Sequence, residues 1–158
     1  MFCRVGKSAI VFVSLVLALG LHVPQVQGQD IAPIINHSFG ATAMAIGQTS
    51  RANIASIEDP NEFPPGTFCD YAINFFAADG NLLTRPISGQ LDIGKSAFVD
   101  LNRNSLTIKD NRVPFRVVIS VIGNPNITPD PCRSIRATVE IYDNLSGRTM
   151  VFIGDPTI

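Results

Sequence analysis

The sequence predicts an all-β fold, a single antiparallel β-sandwich of about seven to nine strands. Three observations carry that expectation. Apolar and polar residues alternate with period two over residues 68–78, 113–122 and 133–143. Glycine, proline and asparagine turns separate these runs at close spacing. No stretch repeats its apolar residues at the helical period.

The strongest run is 68–78. Its odd positions are Cys69, Tyr71, Ile73, Phe75 and Ala77, and its even positions include Asp70 and Asn74. Successive side chains of a strand point to opposite faces, so the odd set faces the core. In 113–122, Val113, Phe115, Val117, Ile119 and Val121 go in, and Arg116 and Ser120 go out. In 133–143, Ile135, Ala137, Val139 and Ile141 go in, and Ser134, Arg136, Thr138 and Glu140 go out. Weaker strands are expected at 41–46, 49–57, 87–93, 96–101 and 148–153. Residues 29–38 read as an N-terminal arm leading into a domain at 39–158. The Asp79-Gly80 pair suits a tight hairpin, because glycine tolerates positive φ, and 144–147 closes another. Ile46-Gly47-Gln48-Thr49 and Ile93-Gly94-Lys95-Ser96 read as one local turn used twice. The polar connection 102–112 has room for one short turn of helix.

A chain of 158 residues, 46% apolar, is long enough for one domain with a real core and too short for two of ordinary size. Twelve Lys plus Arg stand against 13 Asp plus Glu, which excludes the basic footprint of a nucleic-acid binder. The start of the chain has the layout of a secretory signal peptide. Arg4 and Lys7 precede an uncharged run at 8–21, and a more polar stretch ends in Val26-Gln27-Gly28. The run falls short of the roughly 20 apolar residues of a spanning helix. Residues 1–28 are therefore expected to be removed, Cys3 with them, leaving a mature chain that is secreted or periplasmic and free of the membrane. It keeps 10 bases and 13 acids.

Two cysteines then remain, Cys69 and Cys132, and an even pair in an exported protein reads as one disulfide. Both stand at the starts of strands, so a bridge requires those strands to run the same way. Parallel neighbours in one sheet need a long crossover, so the simplest solution places the pair on facing or closely adjacent parts of the two sheets. Cys132 follows Pro131 on the polar phase of its strand, as a loop or bulge residue does.

Candidates for chemistry are sparse. The mature chain has one histidine, His37, read as solvated on the arm, and no Gly-x-Ser-x-Gly elbow. One histidine and a paired cysteine do not make a zinc site, and Asp79-Gly80-Asn81 lacks the ligand spacing of a calcium loop. Asp92 and Asp100 flank a short turn and could serve a small carboxylate-dependent hydrolase if held at the right separation, although such residues also suit solvated strand ends. No catalytic residue, metal or cofactor is expected. Phe68, Phe76 and Phe98 fall on the outer phase of their strands. Either they form an apolar patch for a protein or glycan partner, or a second layer, such as the arm or a loop, covers them, which is the favoured reading. Three Asn-x-Ser/Thr sites, at Asn36, Asn126 and Asn144, matter only in a eukaryotic secretory pathway.

Several segments together resemble a broad group of bacterial exported immunoglobulin-like sandwich proteins of uncharacterised role. They are 47–53 (GQTSRAN), 75–81 (FFAADGN), 91–97 (LDIGKSA) with Asp100-Leu101, and 137–144 (ATVEIYDN) with 146–149 (SGRT). The resemblance runs from about Phe39 to Phe152 and its order is more specific than any one motif. It implies an immunoglobulin-like fold and export, and no activity. The missing Trp departs from antibody-type domains, and the loop 123–131 has no counterpart role in the group. The expected function is that of an exported, non-catalytic binding or structural module, with a carbohydrate-binding module or a small hydrolase as the alternative.

Overall fold

The computed structural model describes residues 32–124 and 126–154. The expected signal peptide and the first residues of the expected arm lie outside them. The described residues form eight strands: β1 (Ile34–Ala45), β2 (Gln48–Ser56), β3 (Phe68–Ala77), β4 (Ile87–Asp92), β5 (Ser96–Asn102), β6 (Arg112–Ile122), β7 (Ile135–Asp143) and β8 (Thr149–Gly154). Sheet I has the order β1-β6-β3-β4 and sheet II the order β5-β2-β7-β8. Every pairing is antiparallel, so the expected sandwich is the observed one.

The alternation places the core as expected. Phe39, Ile73, Phe75, Phe115 and Ile119 of sheet I and Ile54, Val139 and Ile141 of sheet II are fully buried. Each stabilises the fold by about 1.5–3 kcal/mol relative to an exposed side chain. The Phe75 and Phe115 rings lie 6.4 Å apart and tilted. The repeated Gly turn also holds. Gly47 and Gly94 both adopt positive φ, at 84° and 75°, and each carries the chain from sheet I into sheet II. The Asp79-Gly80 turn closes as a hairpin, with the Asp79 carboxylate accepting from Asn81 N at 2.9 Å.

Residues 34–38 are strand and not the expected arm. From Ile34 onward the segment is strand, paired with β6 along its length. Ile35, His37 and Phe39 sit opposite Val121, Ile119 and Val117 on the inward phase. A bulge between Phe39 and Thr42 then shifts the phase, so that Met44 faces inward. A single extra residue inverts a period-two pattern, and that is why alternation identifies only the second half of β1. His37 is accordingly 9% exposed rather than solvated.

The connection after β5 contains the expected short turn, a 3-10 helix at Arg103–Ser105. Arg103 is 3% exposed. Its Nη2 donates to the carbonyls of Ile108 (2.9 Å) and Asp110, which folds the polar loop back over the end of the core.

Cys69 and Cys132 form a disulfide with their Cα atoms 5.6 Å apart. Strands β1 and β3 are both antiparallel to β6, and the tight turn at Gly47 reverses the chain into β2, to which β7 is antiparallel. Thus β3 and β7 run the same way on facing sheets, and their starts meet. Cys132 lies in a 3-10 turn (Pro131–Ser134), off the regular strand. Asp130 of the preceding loop builds that turn. Asp130 Oδ1 accepts from Cys132 N at 3.0 Å and from Asn124 N at 3.2 Å. Gly123 is needed because a Cβ there would collide with the Asp130 carboxylate and the Pro33 ring.

The bridge spans 63 residues of sequence, and closing a loop of that length restricts the unfolded chain by about 4 kcal/mol. The Cys69→Ala, Cys132→Ala double variant is expected to keep its strand content by circular dichroism and to lose stability of that order in denaturant melts. An unchanged melt means that the bridge is idle.

Candidate functional site on the outer face of sheet II

Strand β2 lies between β5 and β7, so its outward side chains have neighbours on both sides. Cross-strand register builds two rows on this face. Arg51 stands opposite Asp100 of β5 and Glu140 of β7, and Glu140 stands opposite Phe152 of β8. Asn53 stands opposite Phe98 of β5 and Thr138 of β7.

Arg51 is the centre of the first row. Its Nε and Nη2 donate to the two oxygens of Asp100 at 2.7 and 2.8 Å, a fork that matches the planar carboxylate. The hydrogen bond to Asp100 holds the guanidinium protonated above even its ordinary high range. The same guanidinium lies 4.2 Å from the Phe98 ring centroid and 5.3 Å from that of Tyr142. A cation over an aromatic face is attracted by the ring quadrupole, so one side chain orients two rings. The Tyr142 hydroxyl donates to Asp100 Oδ2 at 3.2 Å and closes the network.

Between Arg51, Glu140, Tyr142, Gly147 and Thr149 lies a shallow groove of about 210 Å³. Thr149 Oγ1 donates to Glu140 Oε2 at 3.3 Å on its wall. The β7–β8 turn at its end is set by Asp143, whose carboxylate accepts from the N–H and hydroxyl of Ser146 and the N–H of Leu145. The bonds from Ser146, then that from Leu145, hold Asp143 below the usual carboxylate range.

The three phenylalanines do not form one patch. Phe68 and Phe76 are on the outer face of sheet I, at opposite ends of β3 and about 26 Å apart by strand rise, whereas Phe98 is on the outer face of sheet II. The outward phase was legible, but phase does not say which of the two outer faces a strand presents. Nor does the arm cover them, since it is the edge strand β1. Arg116 lies 4.9 Å from the half-buried Phe76 ring. Phe68 remains 38% exposed and Phe98 59%.

Asp92 and Asp100 are likewise parted. Asp92 pairs with Phe68 in sheet I, Asp100 pairs with Arg51 in sheet II, and they project from opposite faces of the sandwich. Asp92 instead borders a cleft of about 240 Å³ with Pro60, Phe63, Pro64 and Ile93, where it is the sole carboxylate. Arg51 and Tyr142 went unnoticed in the sequence because only register brings them together. Glu140 is an expected outward residue, and its place opposite Arg51 is the further fact that register supplies.

The Arg51 and Asp100 side chains are each about a third exposed. Solvent screens such a pair, and a double-mutant cycle with Arg51→Ala and Asp100→Ala is expected to give a coupling of about 1 kcal/mol. The coupling should shrink as salt rises. Additive losses would show that the fork does not couple the two residues.

No family model matches the chain, and no curated protein matches it. A solved structure, the crystal structure of Thermotoga maritima 1070, is similar at 13% sequence identity and a TM-score of 0.48, covering 75% of this chain and 90% of that one.

Proposed function

We propose that the chain is exported by a signal peptide at residues 1–28 and that its mature domain, secreted or periplasmic, is a non-catalytic binding module whose contact surface is the outer face of sheet II. The observation that carries this reading is the Arg51 network. It holds Phe98 and Tyr142 in fixed poses on an open sheet face, where a preorganised surface loses little entropy on binding. The disulfide supports the compartment, since such bonds persist where thiols are oxidised. The resemblance to bacterial exported sandwich proteins supports the same route. The separation of Asp92 from Asp100 weakens the hydrolase alternative, because glycosidic chemistry needs its two carboxyl groups on one bond.

Export is tested by N-terminal sequencing, which is expected to find Gln29 first in the exported fraction. A chain starting at Met1 there rejects it. The binding reading is tested in two ways. A panel of ester, glycoside, peptide and phosphate substrates is expected to show no turnover, and turnover lost in Asp92→Asn or Asp100→Asn overturns the proposal. Cell-envelope material is expected to slow hydrogen exchange in β2, β5 and β7 of the wild type but not of Arg51→Ala. Equal exchange in both proteins removes the face from the binding surface.

A further inference from the structure

We propose that the outer face of sheet II binds a neutral polysaccharide chain, laid across β5, β2, β7 and β8 with Phe98 and Phe152 as ring platforms and Arg51 and Glu140 as the polar pair between them. The inference rests on the binding reading above and names its ligand. A sugar ring offers an apolar face of C–H groups and a rim of hydroxyls. A site for it needs an exposed aromatic surface beside a donor and an acceptor.

All three are present in one place. Phe98 is 59% and Phe152 65% exposed on an outward sheet surface rather than at a loop tip, and because the Arg51 guanidinium lies over one face of the Phe98 ring, the platform there is the face turned away from Arg51. Their strands are three spacings apart, about 14 Å, so the platforms stand at the two margins of the face. Arg51 and Glu140 lie opposite each other between those margins. Asp100 engages Nε and Nη2 of Arg51, which leaves Nη1 to donate. Thr149 engages Glu140 Oε2, which leaves Oε1 to accept. In the proposed complex one ring hydroxyl donates to Glu140 and another accepts from Arg51. Both ionised groups strengthen such bonds, and both are already held by neighbours.

Charge decides between sugar classes. The charged side chains on the outward positions of the four strands are Arg51, Arg136, Asp100 and Glu140, and they cancel. Such a face has no net field to draw in a polyanion or polycation, so the ligand is a neutral chain.

The test is native affinity electrophoresis of the exported form of the chain in gels containing a soluble β-1,4-glucan, a xylan or a galactomannan, with alginate and polygalacturonate as acidic comparisons. At least one neutral polysaccharide is expected to retard the protein, and the acidic ones are not. Phe98→Ala, Phe152→Ala and Glu140→Gln are each expected to weaken retardation by about tenfold, the scale of a lost ring contact or hydrogen bond. Leu145→Ala, exposed at the β7–β8 turn, should bind like the wild type. Thermal melts of every variant show that the fold is kept, and Phe152, on an edge strand, stands in for Phe98 if the latter variant does not fold. Absence of retardation by all three neutral chains, preferential retardation by the acidic ones, or retardation unchanged in both phenylalanine variants overturns the proposal. If envelope material protects the face in exchange while no neutral polysaccharide retards the protein, the face binds another class of partner and only the sugar assignment falls.

Discussion

The covalent link between the start of β3 and the turn ahead of β7 is the constraint on which the arrangement of the two sheets depends. A sandwich of two four-stranded sheets is held by one shared layer of side chains, and hydrophobic contact alone is not directional. The disulfide adds direction, because it ties one end of sheet I to the same end of sheet II. Asp130 caps the turn that carries Cys132, and Gly123 lets the Asp130 carboxylate approach the backbone. The loop 123–131 thereby has a structural task.

Fixing the sheets also fixes the outer face of sheet II. Arg51 meets Asp100, Glu140 and two aromatic rings only because β5, β2 and β7 are in register. A slip of β2 by one residue would turn its own outward side chains, Arg51 among them, to the core. The inward partners Ala52, Ile54 and Val139 prevent that slip, since each is fully buried. The chemistry of the surface is therefore secured by the packing of the side chains that face away from it.

This division explains what was legible in the sequence. Alternation with a single phase identifies β3, β6 and β7, the weaker expected strands match β2, β4, β5 and β8 closely, and the two Gly turns and the hairpins follow from residue type. Only the second half of β1 is legible, because its bulge inverts the phase between Phe39 and Thr42, and the same inversion hides the burial of His37. The disulfide was legible from compartment and count. The candidate site was not, because sequence phase gives in or out but neither the sheet nor the opposite residue. Grouping Phe68 and Phe76 with Phe98 was an error of that kind.

The two arginine–phenylalanine contacts show what register adds to the surface. Arg116 lies over Phe76 on sheet I and Arg51 over Phe98 on sheet II. A long side chain over a ring ordinarily loses most of its hold to rotamer freedom and solvent. Arg51 differs because Asp100 grips two of its nitrogens, which stops the guanidinium from swinging away and leaves the ring beneath in one pose. The binding reading proposed above rests on such fixed rings and donors on one sheet face. On this molecule that combination depends on one cross-strand carboxylate, Asp100, directly opposite Arg51 on an edge strand.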